Sequence, residues 1–327
     1  MILNSTFKPA WWLTNAHLQT IYSRLTPSVR APIDKTERFE LPDGDFLDLA
    51  WAINELKSDT PLIILLHGLG GNVESRYVAS QLKAYNRCGW RGVLMHFRGA
   101  SNTPNRLPRA YHSGDTADLD CFLRELAHRE PRTKKAAVGI SLGGNVLLKW
   151  LGEQGPQTLI QAGVAVSVPY QLSLVADRMN QGLSRLYQAH LLGCLRAVFN
   201  RKLAHYPGTL PWTRDELKSW RCFWTFDEHV TAALNGFPHV NAYYRESSSR
   251  QYLKHIATPT LLIHALDDPF MTADAIPHVD ELAPSVQLEL SRRGGHVGFI
   301  SGCVPGKPVY WLEERIPEFL RERFDCE

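Results

Sequence analysis

The chain has 327 residues, of which 44% are apolar and 21% are charged, and its formal net charge is +3. This length accommodates one large α/β domain with an insertion, or two small domains. Positive and negative charges are nearly balanced, and the sequence contains no long run of Lys or Arg, so it gives no support for nucleic-acid binding. No apolar stretch approaches the ~18 residues of a membrane-spanning helix.

The N-terminus and the cysteines both indicate a cytoplasmic protein. Residues 1–5 lack the basic region and the apolar core of a signal peptide. The cysteines are scattered, and none forms a Cys-x-x-Cys pair, so neither a disulfide framework nor a zinc site is expected. We expect reduced, mostly buried thiols at Cys88, Cys121, Cys194, Cys222, Cys303 and Cys326.

Residues 1–36 are predicted to form an N-terminal arm. Asn15 is a candidate N-cap for a short helix, and Trp11 and Trp12 precede it. The simplest expectation is that this arm packs on the main body. A part in the substrate mouth, or a peripheral contact with a membrane, remains open as an alternative.

Residues 37–169 alternate between buried strands and helices, which predicts the first part of a mostly parallel, doubly wound sheet. A β-hairpin is expected where apolar residues alternate around a Pro-Asp-Gly turn at residues 37–53. Continuous apolar runs predict strands that are buried on both faces. These strands are expected at residues 62–66, 92–97, 136–138 and 163–167, with helices at 78–85, 115–127 and 144–151.

A Gly-x-Ser-x-Gly sequence lies between the strand at 136–138 and the helix at 144–151. The turn must be tight, and Gly139 and Gly143 supply the small residues that it requires. Such a turn presents the Ser141 hydroxyl to solvent at a helix N-terminus, which favours a developing oxyanion. Strand, sharp turn and helix are the context of a nucleophile elbow. An inert serine in a glycine-rich turn is the alternative.

Residues 170–250 contain helical stretches, with a long candidate helix at 183–199 and a shorter one at 227–234, no clear strand, and many aromatic side chains. A helical insertion between two strands is typical of a cap over an active site, although a helical layer without a gating role would give the same pattern. Residues 251–327 return to the core pattern, with strands at 259–264 and 286–290 and a closing helix at 311–324. The whole chain is therefore predicted to be a single α/β domain with a helical cap insertion.

Three candidate catalytic residues follow predicted parallel strands, at the sheet edge where open α/β sheets bind ligands. They occur in the order Ser141, Asp267, His296, which is the order that α/β-hydrolases use. In such a triad the histidine accepts the serine proton, and the aspartate orients the imidazole. Asp268 competes with Asp267 for the acid role. Asp267 is favoured because it is the third residue after the predicted strand.

The loop His-Gly-Leu-Gly-Gly at residues 67–71 follows an early buried strand. In this fold that loop supplies one oxyanion N–H group, and the residue after the nucleophile supplies another. The predicted donors are therefore the backbone N–H groups of Leu69 and Leu142. No Lys-Ser or Lys-Thr follows the glycines, so a phosphate-binding P-loop is not indicated, and no metal-binding motif occurs. No cofactor or metal is expected.

The sequence resembles the YheT-like hydrolases of bacteria, which are relatives of eukaryotic α/β-hydrolase-domain lipases and esterases. The resemblance is carried by residues 15–20, 67–71, 96–99, 105–115, 139–145, 226–227, 243–244, 267–270 and 294–299. It implies an α/β-hydrolase fold, a Ser-Asp-His triad and hydrolysis of esters with medium-chain or lipid-like acyl groups. Some relatives carry a His-x-x-x-x-Asp acyltransferase motif, but the fifth residue after His112 is Ala117, which argues against transacylation. The segment 105–115 either fixes the loop beside the site or contacts substrate.

We therefore expect a serine esterase that acts on a small-molecule or lipid-like ester through an acyl-enzyme. One alternative is a non-catalytic protein that binds an apolar ligand on a hydrolase scaffold. Another is a hydrolase of amides or thioesters, which the same triad would serve. The sequence does not indicate an oligomeric state.

Overall fold

The computed structural model describes residues 1–26, 29–53, 57 and 59–325. Cys326 lies outside these residues. The other five cysteines form no disulfide, and none of the five is fully buried, contrary to expectation. None of the described helices is both long enough and apolar enough to cross a membrane.

Within the described residues, nine strands form one sheet, and two more form a short hairpin. The strands are β1 (Ile2–Asn4), β2 (Lys35–Glu40), β3 (Phe46–Ala52), β4 (Leu62–Leu66), β5 (Arg91–Met95), β6 (Lys135–Ile140), β7 (Ala162–Val166), β8 (Thr260–Ala265), β9 (Val286–Ser291), β10 (Ile300–Ser301) and β11 (Val309–Tyr310). The order across the large sheet is β1-β9-β8-β7-β6-β4-β5-β3-β2. Strand β3 runs antiparallel to both of its neighbours, whereas the other neighbouring pairs are parallel. The predicted mostly parallel sheet is confirmed.

Helices cover both faces of this sheet. They are α1 (Ala16–Leu25), α2 (Arg76–Arg87), α3 (Ala117–Arg129), α4 (Leu142–Gln154), α5 (Leu172–Met179), α6 (Ser184–His205), α7 (Arg214–Ser219), α8 (Phe223–Phe226), α9 (Val240–Ser247) and α10 (Leu312–Phe324). Every residue of β4, β5, β6, β7 and β8 is buried. This explains why these strands are continuous apolar runs, since neither face meets water.

The N-terminal arm differs from the prediction in one respect. Ile2–Asn4 form an edge strand that pairs in parallel with β9, which extends the sheet. The predicted helix is present as α1, and the Asn15 side chain accepts the N–H groups of His17 and Leu18 as its N-cap. The arm is therefore part of the main body.

The helical insertion lies between β7 and β8, as expected, and comprises α5 to α9. The helix predicted to start at Asp227 is instead one turn of π-helix, Asp227–Ala232. The aromatic side chains of the insertion mostly pack into small hydrophobic clusters within it. Several also border the cavity described below.

Candidate active site

Ser141 occupies a strained turn between β6 and α4. Its backbone has φ 53° and ψ −116°, and its N–H donates to the carbonyl of Val166 at 2.8 Å. A Cβ atom at Gly139 would lie 2.4 Å from the Gly143 carbonyl oxygen, and one at Gly143 would lie 2.5 Å from that of Leu66. Both positions of the motif therefore need glycine, because a side chain would collide with backbone.

The ring of His296 connects Ser141 to an aspartate. Nε2 lies 3.0 Å from Ser141 Oγ, and Nδ1 lies 2.8 Å from Asp268 Oδ2. The ring stacks on Phe270 at a centroid distance of 3.9 Å. The His296 backbone N–H donates to Thr20 Oγ1 at 2.9 Å, so α1 of the N-terminal arm helps to fix the histidine.

The aspartate that contacts His296 is Asp268, whereas Asp267, which the sequence favoured, accepts a backbone N–H instead. Asp267 is only half-buried, and its Oδ1 accepts the backbone N–H of Gly295 at 2.9 Å. Asp268 is 4% exposed, and its second oxygen accepts the Phe270 N–H at 2.8 Å. Strand β8 ends at Ala265, and in the turn that follows it is the third residue, not the second, that faces the histidine.

The pKa values of the two aspartates shift in opposite directions. Burial opposes ionisation of Asp268, but the positive charge and hydrogen bond of His296 outweigh burial and lower its pKa below the usual value. Burial raises the pKa of Asp267, and the neighbouring Asp268 adds to this rise. Asp268 is thus the carboxylate held ionised beside the imidazole.

The glycine-rich loop approaches Ser141 closely. A Cβ atom at Gly68 would lie 3.4 Å from Ser141 Cβ. Gly68 N–H donates to Tyr77 Oη at 2.9 Å, and Gly70 N–H donates to Tyr111 Oη at 3.1 Å. Two tyrosines therefore hold the loop on either side of Leu69.

The two predicted oxyanion donors have no competing acceptor. Among the described residues, the backbone N–H groups of Leu69 and Leu142 donate to no protein atom. Leu142 is the first residue of α4, where the helix leaves its N–H groups unpaired and its dipole is positive. Both groups are therefore free to bind an oxyanion beside Ser141.

His67 stabilises the glycine-rich loop through hydrogen bonds, a role that the sequence did not reveal. It is fully buried, and burial lowers its pKa to about 3, so the ring is neutral. Nδ1 donates to the Gly68 carbonyl at 2.7 Å, and Nε2 accepts the Phe97 N–H at 3.2 Å. The signal available in the sequence was its place in the motif at residues 67–71.

The segment 105–115 mainly ties the core to the insertion. Asn105 Nδ2 donates to Asp45 Oδ2 at 2.6 Å. Lys202 of α6 is buried, and its Nζ donates to the backbone carbonyls of Leu107, Pro108 and Arg109. Burial lowers the pKa of Lys202 to about 7. The segment ends near the site, where Tyr111 holds the glycine-rich loop.

A cavity of about 1020 Å³ extends from Ser141 and His296 beneath the helical insertion. Residues of α1, α5 and α6 line it, so the arm forms part of its wall. The His17 Nδ1 atom lies 3.0 Å from Tyr187 Oη and links α1 to α6. The apolar side chains that line the cavity include Leu172, Val175, Met179, Leu186, Leu191 and Leu195.

No group of three or more His, Cys, Asp or Glu side chains is arranged to hold a metal ion in the part of the chain described. The wall of the cavity next to Ser141 combines apolar side chains with polar ones such as Gln81, His190 and Asp227.

Comparisons with known proteins agree with this architecture. The α/β hydrolase fold family matches residues 61–302. The chain is 44% identical to "Putative esterase YheT" of Escherichia coli (strain K12), over 97% of this chain and 93% of that protein. It is 26% identical to "Phospholipase ABHD3" of Bos taurus, over 94% and 77% respectively.

A solved structure, the Pyrococcus furiosus esterase Pf2001, superposes with a TM-score of 0.54 at 20% sequence identity, over 89% of this chain and 90% of that one. At that identity the likeness establishes the fold alone. The resemblance read from the sequence is confirmed by the family match and by the relatives.

Proposed function

The chain belongs to the α/β hydrolase family, and from that premise we propose that it is a serine esterase whose triad is Ser141, His296 and Asp268. The observation that carries the proposal is the continuous hydrogen-bonded line from Ser141 Oγ through His296 to Asp268, at 3.0 Å and 2.8 Å. Relatives that bear esterase and phospholipase names support an ester as the substrate.

The proposed reaction has two halves. Ser141 Oγ attacks the ester carbonyl while His296 Nε2 takes its proton, and the N–H groups of Leu69 and Leu142 hold the oxyanion. The intermediate collapses to an acyl-enzyme, and the departing alkoxide takes the proton from His296. Water then loses a proton to His296 and attacks the acyl carbon. The bond from that carbon to Ser141 Oγ breaks, Oγ takes the proton back from His296, and the carboxylic acid leaves. Asp268 stabilises the imidazolium at both stages.

The cavity supports a medium-chain or lipid-like acyl group. Its apolar lining from α5 and α6 can bury an alkyl chain, at about 0.8 kcal/mol per methylene removed from water. The side chain of Leu142, directly after Ser141, lines the same cavity, so an acyl chain bound there would lie beside the reacting carbonyl.

The test is labelling by a fluorophosphonate probe, run beside Ser141→Ala, followed by hydrolysis of p-nitrophenyl esters of increasing chain length. We expect the wild type to be labelled, and turnover to fall in the variant by at least roughly 10³-fold because no nucleophile remains. The matched Ser101→Ala variant removes a serine on a loop outside the cavity and should keep both properties. Turnover retained by Ser141→Ala would overturn the assignment, and a folded wild type that takes no label would favour the binding-protein alternative.

A further inference from the structure

Three segments with no catalytic role lie together on one wall of the cavity: residues 111–113, 226–227 and 243–244. The Ser113 N–H donates to Tyr243 Oη at 3.2 Å, and the His112 ring packs edge-on against Tyr243 at 5.5 Å. Tyr244 Oη donates to Asp227 Oδ2 at 2.8 Å. Of these residues, His112, Ser113, Asp227, Tyr243 and Tyr244 border the same cavity as Ser141.

This polar wall is close to the nucleophile. Asn145, one helical turn after Ser141, donates from Nδ2 to the Ser113 carbonyl at 2.8 Å. Tyr111, directly before His112, holds the glycine-rich loop through Gly70. The cavity therefore has an apolar wall from α5 and α6 and a polar wall attached to the turn that carries Ser141.

Asp227 supplies a hydrogen-bond acceptor to this wall. It is 8% exposed, and its two oxygens accept from Thr231 at 2.6 Å and Tyr244 at 2.8 Å. Both of these partners are neutral hydroxyl groups. Burial raises its pKa to about 6, so it is mainly ionised at neutral pH, with lone pairs left for a ligand. It also lies in the π-helical turn, a feature that is frequent at functional sites.

His112 supplies a hydrogen-bond donor. Its Nδ1 accepts the Gly114 N–H at 3.1 Å, so the proton of the neutral ring is on Nε2. Burial lowers its pKa to about 3, which keeps the ring neutral. The side chain is 9% exposed, and Nε2 has no partner among the described residues. A residue with an unused donor therefore borders the same cavity as Asp227.

We propose that Asp227 and His112 bind free hydroxyl groups on the alcohol half of the substrate, so that the preferred substrates are partial esters of a polyol. This inference rests on the proposed esterase function. A hydroxyl both donates to a carboxylate and accepts from an imidazole N–H, whereas an ammonium group would satisfy only Asp227. The apolar wall takes the acyl chain, which leaves the polar wall for the alcohol.

The experiment compares kcat/KM for 2,3-dihydroxypropyl butanoate and propyl butanoate, which differ only in two hydroxyl groups. We expect the wild type to prefer the dihydroxypropyl ester, and Asp227→Asn to reduce the ratio of the two kcat/KM values by roughly tenfold or more. His112→Phe keeps the ring packing and removes the Nε2 donor, so it should reduce the ratio as well.

Glu228→Gln is the matched control. Glu228 is the next residue of the π-helical turn and accepts the Val240 N–H at 2.6 Å, but it does not border the cavity. The ratio should equal that of the wild type in this variant. Fluorophosphonate labelling of Ser141 and thermal unfolding establish that each variant is folded with an intact nucleophile.

The outcomes separate the two proposals. Equal ratios in wild type, Asp227→Asn and His112→Phe would overturn the polyol inference and leave the esterase proposal standing. If neither ester is hydrolysed, the esterase proposal fails, and the polar wall is tested by whether glycerol slows fluorophosphonate labelling of the wild type more than 1-propanol does. Equal slowing by the two alcohols would then overturn it, as would a variant that labels like the wild type in glycerol.

Discussion

Both carboxylate oxygens of Asp268 are hydrogen-bonded, one to the His296 ring and one to the Phe270 N–H. We therefore expect replacement of Asp268 to lower mainly the rate of the chemical step. Asp268→Asn keeps the volume but removes the charge and permits the wrong imidazole tautomer. We expect kcat for p-nitrophenyl butanoate to fall by roughly 10³–10⁴-fold. Asp267→Asn should cost less than roughly tenfold, because its carboxylate accepts a backbone N–H and does not contact the imidazole. The reverse order of the two variants would show that Asp267 is the functional acid.

Ser141 and His296 could be predicted as candidates from sequence because the glycines around them and their order along the chain restrict the options. The choice between Asp267 and Asp268 could not be made in this way. The two residues are adjacent and chemically identical, and which one faces the histidine depends on the exact end of β8 and the turn after it. Phe270 and Thr20, which fix His296 by stacking and by a hydrogen bond, were visible only as members of motif segments.

Helix α6 is attached to the core through Lys202, which supplies donors to three backbone carbonyls of the segment that leads to Tyr111. Lys202→Met would remove the donor to the Pro108 carbonyl, whereas the Leu107 and Arg109 carbonyls would still accept Asn105 Nδ2. A lost hydrogen bond costs about 0.5–1.5 kcal/mol, or about 1.5–3 kcal/mol where the donor is charged. We expect a lower unfolding temperature together with a lower kcat for p-nitrophenyl butanoate, since Tyr111 positions the glycine-rich loop.

Lys218→Met is the matched control, since Lys218 is exposed on α7 of the same insertion. It should change the free energy of unfolding by no more than about 0.5 kcal/mol. Both quantities can be followed in parallel by differential scanning calorimetry and the p-nitrophenyl assay. Equal effects of the two lysine variants would argue against the attachment.

Elements buried on both faces were predictable because their apolar runs have strand length and lie between clear helices, as in β4 and β8. Strand β1 was not predictable, because a segment of three residues shows no hydrophobic periodicity and its pairing depends on the free edge of β9. The π-helical turn at Asp227–Ala232 was predicted as an ordinary helix. A π-helix has about one more residue per turn than an α-helix, and over so short a segment the two give almost the same apolar pattern.

Across the whole molecule, buried neutral histidines make the free energy of unfolding depend on pH. Burial lowers the pKa to about 3 for His67 and His112 and to about 4 for His264. In the unfolded chain these rings take up protons near pH 6.5, whereas in the folded protein they do so only at about pH 3 to 4. The unfolded state therefore binds more protons over this range, and each such histidine lowers the free energy of unfolding as the pH falls.

His264 allows this contribution to be isolated. Neither of its ring nitrogens has a hydrogen-bond partner among the described residues, so His264→Phe removes the titration without breaking a bond. Between pH 6.5 and pH 4.5, the variant should lose less free energy of unfolding than the wild type, by about 1.4 kcal/mol per pH unit. Urea denaturation at several pH values measures the difference. Parallel curves for the two proteins would show that the ring is not held neutral.

The N-terminal arm is joined to the last part of the chain. Gln19 is fully buried, donates to the Ile300 carbonyl at 2.9 Å and accepts the Ile300 N–H at 2.7 Å, while Thr20 holds the His296 backbone. On the ribosome, the arm emerges long before residues 286–300, which supply these partners. It can therefore dock only after residue 300 has been synthesised, and the histidine can reach the serine only at that late stage.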